Sequence, residues 1–220
     1  MRSSDLFIAL HQQDLLGHRA PWWWPQAGTF EVVVGAVLTQ QSRWEKVEES
    51  LSNLRKLALL DLHAIAAASQ WQVAQAVTPS GFYNQKAQRL IALSRAIVAE
   101  YGDFAHFQEQ VTREWLLQQK GIGPESADSI LCYGCFREEM VVDSYTARLL
   151  AAFGFEDLDY DTLKAWLAEG VASDYERLCG VIGYEAELAE LYARFHGMIV
   201  EFCKQGCKQA DTIRQRLLLE

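Results

Sequence analysis

LLQQKGIGPESADSILCYGCFREEMVVDSYTARLL, residues 116–150, is the stretch from which the rest of the chain is read. A helical pattern ends around Gln119, and Gly121-Ile122-Gly123 makes a tight turn before a second helix opens near Pro124-Glu125-Ser126. Pro124 suits a first helical turn, where the missing N–H costs nothing. Glycines admit positive φ and let backbone amides approach a ligand closely. Amides at a helix start have no intrahelical acceptor and favour a phosphate. The same geometry also serves as a bare helix–helix turn. At the far end, Val141-Val142-Asp143 is an apolar run closing on a carboxylate, which either caps the next helix or does chemistry.

The remainder of the chain repeats the helical period. Apolar residues recur at Phe30, Val33, Val34, Val37 and Leu38, at Leu90, Leu93 and Ile97, and at Ala127, Ile130 and Leu131. Val32-Val33-Val34 alone suits a strand, but the helical spacing continues past it. Breaks fall near Gly28, Pro79-Ser80-Gly81, Gly102, residues 121–124 and Gly154. Only four prolines occur, and no internal repeat or low-complexity tract is present. The expectation is an all-α protein.

At 220 residues the chain can bury a substantial core. It has no apolar run of membrane-spanning length, and MRSSDLFIALHQQD lacks a signal-peptide core, so a cytosolic protein is expected. Cys132 and Cys135 form a C-x-x-C without a second pair at matching spacing, which points to packed thiols rather than zinc. A net charge of −9 argues against holding nucleic acid by bulk electrostatics. A hairpin of backbone amides can grip a phosphate backbone without lysines, which softens that objection.

Residues 1–20 read as a short amphipathic helix. Pro21-Trp22-Trp23-Trp24-Pro25 follows, three indoles in a stiff non-helical segment. It either staples the N-terminus to a core or lines a pocket, since three adjacent indoles cannot all face one core. Residues 39–43 are a polar interruption that reads as a helix connection, or as a loop presenting Gln40 and Trp44. Gln85–Glu100 is the most basic helix, carrying Lys86, Arg89 and Arg95, with a solvated face expected for those charges.

K-G-I-G-x-x-x-A-x-x-I followed by V-V-D-S-Y resembles the helix-hairpin-helix and Gly/Pro-Asp signature of the endonuclease III superfamily of DNA glycosylases. Gly81-Phe82-Tyr83-Asn84-Gln85-Lys86-Ala87 and Leu38-Thr39-Gln40 resemble further stretches of it. PWWWP, Trp44 and LYARFHG…VEFCKQ resemble, more narrowly, its bacterial 3-methyladenine DNA glycosylase branch. The likeness covers roughly residues 20–208.

That resemblance implies a bilobal fold with the active site in the cleft between lobes. One lobe would be a helical barrel, residues 28–137, including the hairpin. The other would combine residues 1–27 and 138–220 and carry Asp143 as the catalytic carboxylate. Trp23, Trp24, Pro25, Trp44 and Lys204 would line the base pocket, and Gln40 would fill the gap left by a flipped base. Lys120, Gly121, Gly123 and Ser126 would meet the DNA. Glu125 stands where lyase members carry a catalytic lysine, so no Schiff base is expected. Cys203 and Cys207 are too few for the family's four-cysteine iron–sulfur cluster.

The implied protein is therefore a monofunctional base excision repair enzyme for alkylated purines, 3-methyladenine foremost. It would work as a monomer on double-stranded DNA, without a cofactor; the hairpin turn is compatible with a bound monovalent cation. A bifunctional glycosylase/lyase and a non-catalytic helix-hairpin-helix DNA-binding module are the alternatives. His196 reads as a packed or hydrogen-bonded structural histidine.

Overall fold

Helices are the only regular elements among the described residues, which are 2–17, 21–206 and 209–217 of a computed structural model. They form two units, Met1–Pro25 with Phe136–Glu220, and Gln26–Cys135. Helix α1 (Ser3–His11) opens the first unit. The second holds α2 (Phe30–Leu38), α3 (Trp44–Lys56), α4 (Leu62–Ala67), α5 (Gln70–Val77), α6 (Tyr83–Tyr101), α7 (Phe104–Gln110), α8 (Arg113–Gln118) and α9 (Pro124–Ser129). The chain then returns to the first unit with α10 (Ser144–Ala151), α11 (Tyr160–Ser173), α12 (Tyr175–Ile182), α13 (Leu188–Lys204) and α14 (Ala210–Leu217).

Local chemistry sets many of the helix starts. Thr29, Asp61, Ser69, Asp103, Thr112, Asp143 and Asp159 each stand at an N-cap and accept a backbone N–H from the first turn. The β-branched run Val32-Val33-Val34 lies within α2, where every residue but Glu31 is buried. Burial on all sides outweighs the modest helix propensity of valine. The N-terminal helix is shorter than expected, ending at His11, and residues 1 and 18–20 of that expectation lie outside the described residues.

In the second unit α2 packs against α3, α6 and α9, while α6 runs along α4 and α5. The apolar positions read from the helical period are all in its core. In the first unit α13 packs against α1, α10 and α11 around Phe7, Leu149, Leu167, Phe195 and Phe202. Cys132 and Cys135 are buried, as expected of packed thiols. Cys203 is buried on α13 and Cys207 lies outside the described residues. Among the described residues no helix is long and apolar enough to cross a membrane, and no three His, Cys, Asp or Glu side chains gather to hold a metal.

Candidate active site

In the first unit the sequence places Asp143 at the N-cap of α10. Its Oδ1 accepts from the Thr146 amide at 2.8 Å and the Thr146 hydroxyl at 2.9 Å, and its Oδ2 faces His196 Nε2 at 3.6 Å. Burial pushes this carboxyl up, but the His196 imidazole and the two Thr146 bonds outweigh it and leave it below the usual carboxylate range. Asp143 is thus both a cap and a partly buried, ionised carboxylate.

His196 connects that carboxylate to the tryptophans. Its ring meets the Trp23 indole edge to face, 5.5 Å between centroids. Trp23 adopts φ +58, an uncommon conformation for a bulky residue, and its Nε1 donates to Glu201 Oε1 at 3.1 Å. The same oxygen accepts from Lys204 Nζ at 3.2 Å, and that ammonium lies 5.7 Å from the Trp23 centroid. His196, Glu201 and Lys204 all project from the last turns of α13. Between them sits Gly197, where a Cβ would come within 2.5 Å of Trp23 Cγ. The indole therefore lies directly on helix backbone.

The three tryptophans divide as their crowding requires. Trp24 is buried, with its ring perpendicular to Trp23 at 6.1 Å. Trp22 is half-buried against Phe136, 4.5 Å between centroids, and Pro25 is exposed. Gly197, Glu201 and the contact of His196 with Asp143 were not drawn from the sequence. A glycine inside a strongly helical apolar run was the available signal for the first.

In the second unit the helix-hairpin-helix forms as read. Helix α8 ends at Gln118, and α9 opens on Pro124 and runs directly into a π-helical turn, Ile130–Gly134. Arg113 and the fully buried Asp128 bind the two hairpin helices at 2.8 Å. The two glycines differ. Gly121 has φ +85, and a Cβ there would overlap the Arg89 guanidinium. Gly123 has φ −98, and a Cβ there would meet nothing within 4 Å. Its left-handed backbone demands the first glycine, and neither φ nor packing demands the second.

Gln40 is built into this hairpin. Its Nε2 donates to the Gly121 carbonyl at 2.9 Å and to Ser126 Oγ at 3.0 Å, while Arg89 donates to its Oε1 at 2.7 Å. Ser126 is buried, with its hydroxyl passing a further bond to the Ala36 carbonyl at 3.4 Å. Lys120 and Glu125 are exposed. Trp44 is the first residue of α3, partly buried against the core of this unit.

The α6 charges depart from the expected solvated face. Lys86 is buried, because residues 86, 90, 93 and 97 share one stripe of α6 and that stripe faces the core. Arg89 turns inward to Gln40, and the exposed Arg95 bonds the Ala66 carbonyl at 2.8 Å. Phe82, in the expected turn cluster and at the N-cap of α6, combines φ +47 with high exposure, a strained aromatic.

Comparison with known proteins meets this geometry from outside. The family model for HhH-GPD superfamily base excision DNA repair proteins matches residues 34–171. A protein of Methanocaldococcus jannaschii provisionally named a DNA repair glycosylase is 35% identical over 203 residues, 89% of this chain and 85% of its own. Endonuclease III of Thermotoga maritima is 24% identical over 87% of this chain and 80% of its own. Among solved structures, 3-methyladenine DNA glycosylase of H. pylori, bound to 1,N6-ethenoadenine, superposes with a TM-score of 0.92 at 46% identity, covering 95% of this chain and 100% of that one. A trapped endonuclease III–DNA intermediate shares the fold at 17% identity and a TM-score of 0.65, covering 95% and 89%. With an Asp-capped helix, a Gly-Ile-Gly hairpin and a family model spanning more than half its length, the chain belongs to the HhH-GPD superfamily of base excision DNA repair proteins, as a helix-hairpin-helix DNA glycosylase.

Proposed function

We propose that this chain is a monofunctional glycosylase that releases N3-alkylated purines, 3-methyladenine foremost, from double-stranded DNA. The observation that carries the reading is the setting of Trp23, an indole seated on Gly197, beside the His196 that faces Asp143. A flat, cationic base is attracted to an indole face by roughly 0.5–2 kcal/mol, more when water is excluded. The likeness to the H. pylori 3-methyladenine enzyme supports the same substrate class.

Extruding the nucleotide from the duplex costs a few kcal/mol, and the sugar then passes through an oxocarbenium-like state as the C1′–N bond breaks. Asp143, ionised and partly buried, stabilises that developing charge and orients or deprotonates the attacking water. N3-alkylation already makes the base a good leaving group, so no strong general acid is required. Lys204, awkward beside a cationic base on its own, is paired with Glu201 and adds little net charge. Trp24 and Pro25 extend the proposed base site within the first unit, and Trp44, in the second, is proposed by the family resemblance as a base-contacting aromatic.

Gly123, which packing leaves free to be any small residue, is where backbone approach to a phosphate accounts for the glycine. Gly121, Lys120 and the start of α9 would share that phosphate, with Ser126 shaping the turn from inside. For Gln40 to fill the gap behind a flipped base, its amide must exchange three bonds within its own unit. Glu125 provides no amine, which supports base release without strand cleavage.

The test is chromatography of bases released from methylated duplex DNA. The expected products include 3-methyladenine from the natural chain and none from Asp143→Asn, with DNA binding largely retained. Borohydride should trap no covalent adduct on an abasic duplex. A trapped adduct would establish the lyase alternative instead. Loss of binding in step with activity in Asp143→Asn would reduce that residue to a cap.

A further inference from the structure

Lys86 is 1% exposed, and its ammonium donates to three uncharged oxygens rather than to a carboxylate. These are the Leu38 carbonyl at 2.8 Å, Ser42 Oγ at 2.6 Å and the Ser80 carbonyl at 2.7 Å. They belong to three segments, the end of α2, the loop of residues 39–43 and the 3-10 turn Thr78–Ser80. Ser42 Oγ also donates to the Ser80 carbonyl. All three protons of the ammonium are in use, one on each segment. One turn along α6, Arg89 takes the same loop through Gln40 Oε1. Burying an ammonium without a counter-charge is costly, and a methionine would fill the same volume without that cost. What the charge secures is the placement of one loop, which carries Gln40 and hands on to Trp44.

We propose that Lys86 is a positioning residue for base release: its ammonium holds residues 39–43, and with them Gln40 and Trp44, in the arrangement that engages the lesion. This rests on the proposal that Gln40 and Trp44 meet the DNA. Burial first, and then the Arg89 charge, pull the lysine down from 10.5 to about 8. Arg43 is the one ionisable side chain in residues 38–43, while Thr78–Ser80 and α5 contain none. On α3 Lys46 pairs with Glu49, Glu31 of α2 is held by Arg55, and Tyr83 and Arg89 are the nearest ionisable residues of α6 itself.

As pH rises through about 8 the amine keeps two donors for three oxygens, and the loop loses a bond. Stability moves the other way. The folded value is depressed, so between about 8 and 10.5 the unfolded chain holds more protons and this group makes the fold more stable as pH rises. A merely structural lysine would leave activity flat or rising across that window, whereas a positioning lysine makes it fall.

The experiment is single-turnover release of 3-methyladenine between pH 6.5 and 10 by the natural chain and Lys86→Met, with NMR of the Gln40 side-chain amide over the same range. Base release should fall on an alkaline limb with its midpoint at about 8, and the Gln40 signal should move with it. Lys86→Met should be slower by roughly 10–100-fold, the scale of an ångström's misplacement, with no limb and a pH-independent Gln40 signal. A flat natural profile from pH 7 to 9.5, or natural rates in Lys86→Met, overturns the proposal. Should Lys86→Met fail to fold, the natural chain's profile and Gln40 titration decide. Should the natural chain release no alkylated base, the function is misread, and the Gln40 titration alone tells whether Lys86 governs the loop.

Discussion

Replacing Gly197 by alanine sets two physical effects against each other. In mid-helix the change favours the helix by about 0.8–1 kcal/mol. The new Cβ, however, would stand 2.5 Å from Trp23 Cγ and 2.7 Å from its Cβ. Carbon atoms rest at about 3.5–4 Å, so the indole must withdraw by roughly 1 Å or more. Trp23 is held by its positive φ and its bond to Glu201, so this strain costs about 1–3 kcal/mol as overpacking. The net change in stability is therefore small, from near zero to about 2 kcal/mol. Catalysis has no such compensation, because an ångström's displacement of a positioning group costs on the order of 100-fold, or about 2.7 kcal/mol.

The assay is single-turnover release of 3-methyladenine with thermal melting in parallel, using Gly180→Ala on α12 as the control. A Cβ at Gly180 meets nothing within 4 Å, so that variant should match or exceed the natural melting temperature at full activity. Gly197→Ala at the natural rate would refute the argument that the seat of Trp23 is used in catalysis.

The hairpin glycines should separate in the same manner. Gly121→Ala meets both positive φ and the Arg89 guanidinium and should lower stability by more than 1 kcal/mol, whereas Gly123→Ala should melt normally yet bind a lesion duplex at least several-fold more weakly. Equal DNA affinity in Gly123→Ala would remove the phosphate role. For Asp143 the depressed folded value means its stabilising contribution is complete above the ordinary carboxylate range and is lost only as pH falls through the lower folded value. Carbon-13 titration of its carboxyl should give a midpoint below that range, and His196→Leu should raise it by leaving burial less opposed; a midpoint that stays put in His196→Leu would dismiss the imidazole's part.

The hairpin was legible in the sequence because every feature that forms it is local. A proline at the first helical position, a glycine in a left-handed turn and an apolar period act within a few residues of one another. Asp143 could be placed at the head of α10 on the same grounds. The chemistry around it could not, since His196 reaches it from 53 residues away and Glu201 meets Trp23 across most of the chain; Lys204 was set beside Trp23 only by the family resemblance. Lys86 is the instructive failure. Its spacing with Leu90, Leu93 and Ile97 already put it on a buried stripe, but its charge suggested solvent, and only the convergence of Leu38, Ser42 and Ser80 supplies the oxygens that let an ammonium stay inside.

The sequence by itself determined the all-α class, the two-glycine turn, Asp143 as a candidate cap and a carboxylate rather than an amine at Glu125, because backbone geometry and residue identity suffice for these. The tertiary structure alone decided that Gly197 seats an indole, that a capping aspartate also faces the His196 imidazole, and that one lysine fastens a loop. Each of these depends on side chains distant in sequence sharing a low-dielectric interior, where a partner's position sets the energy and no local pattern records it.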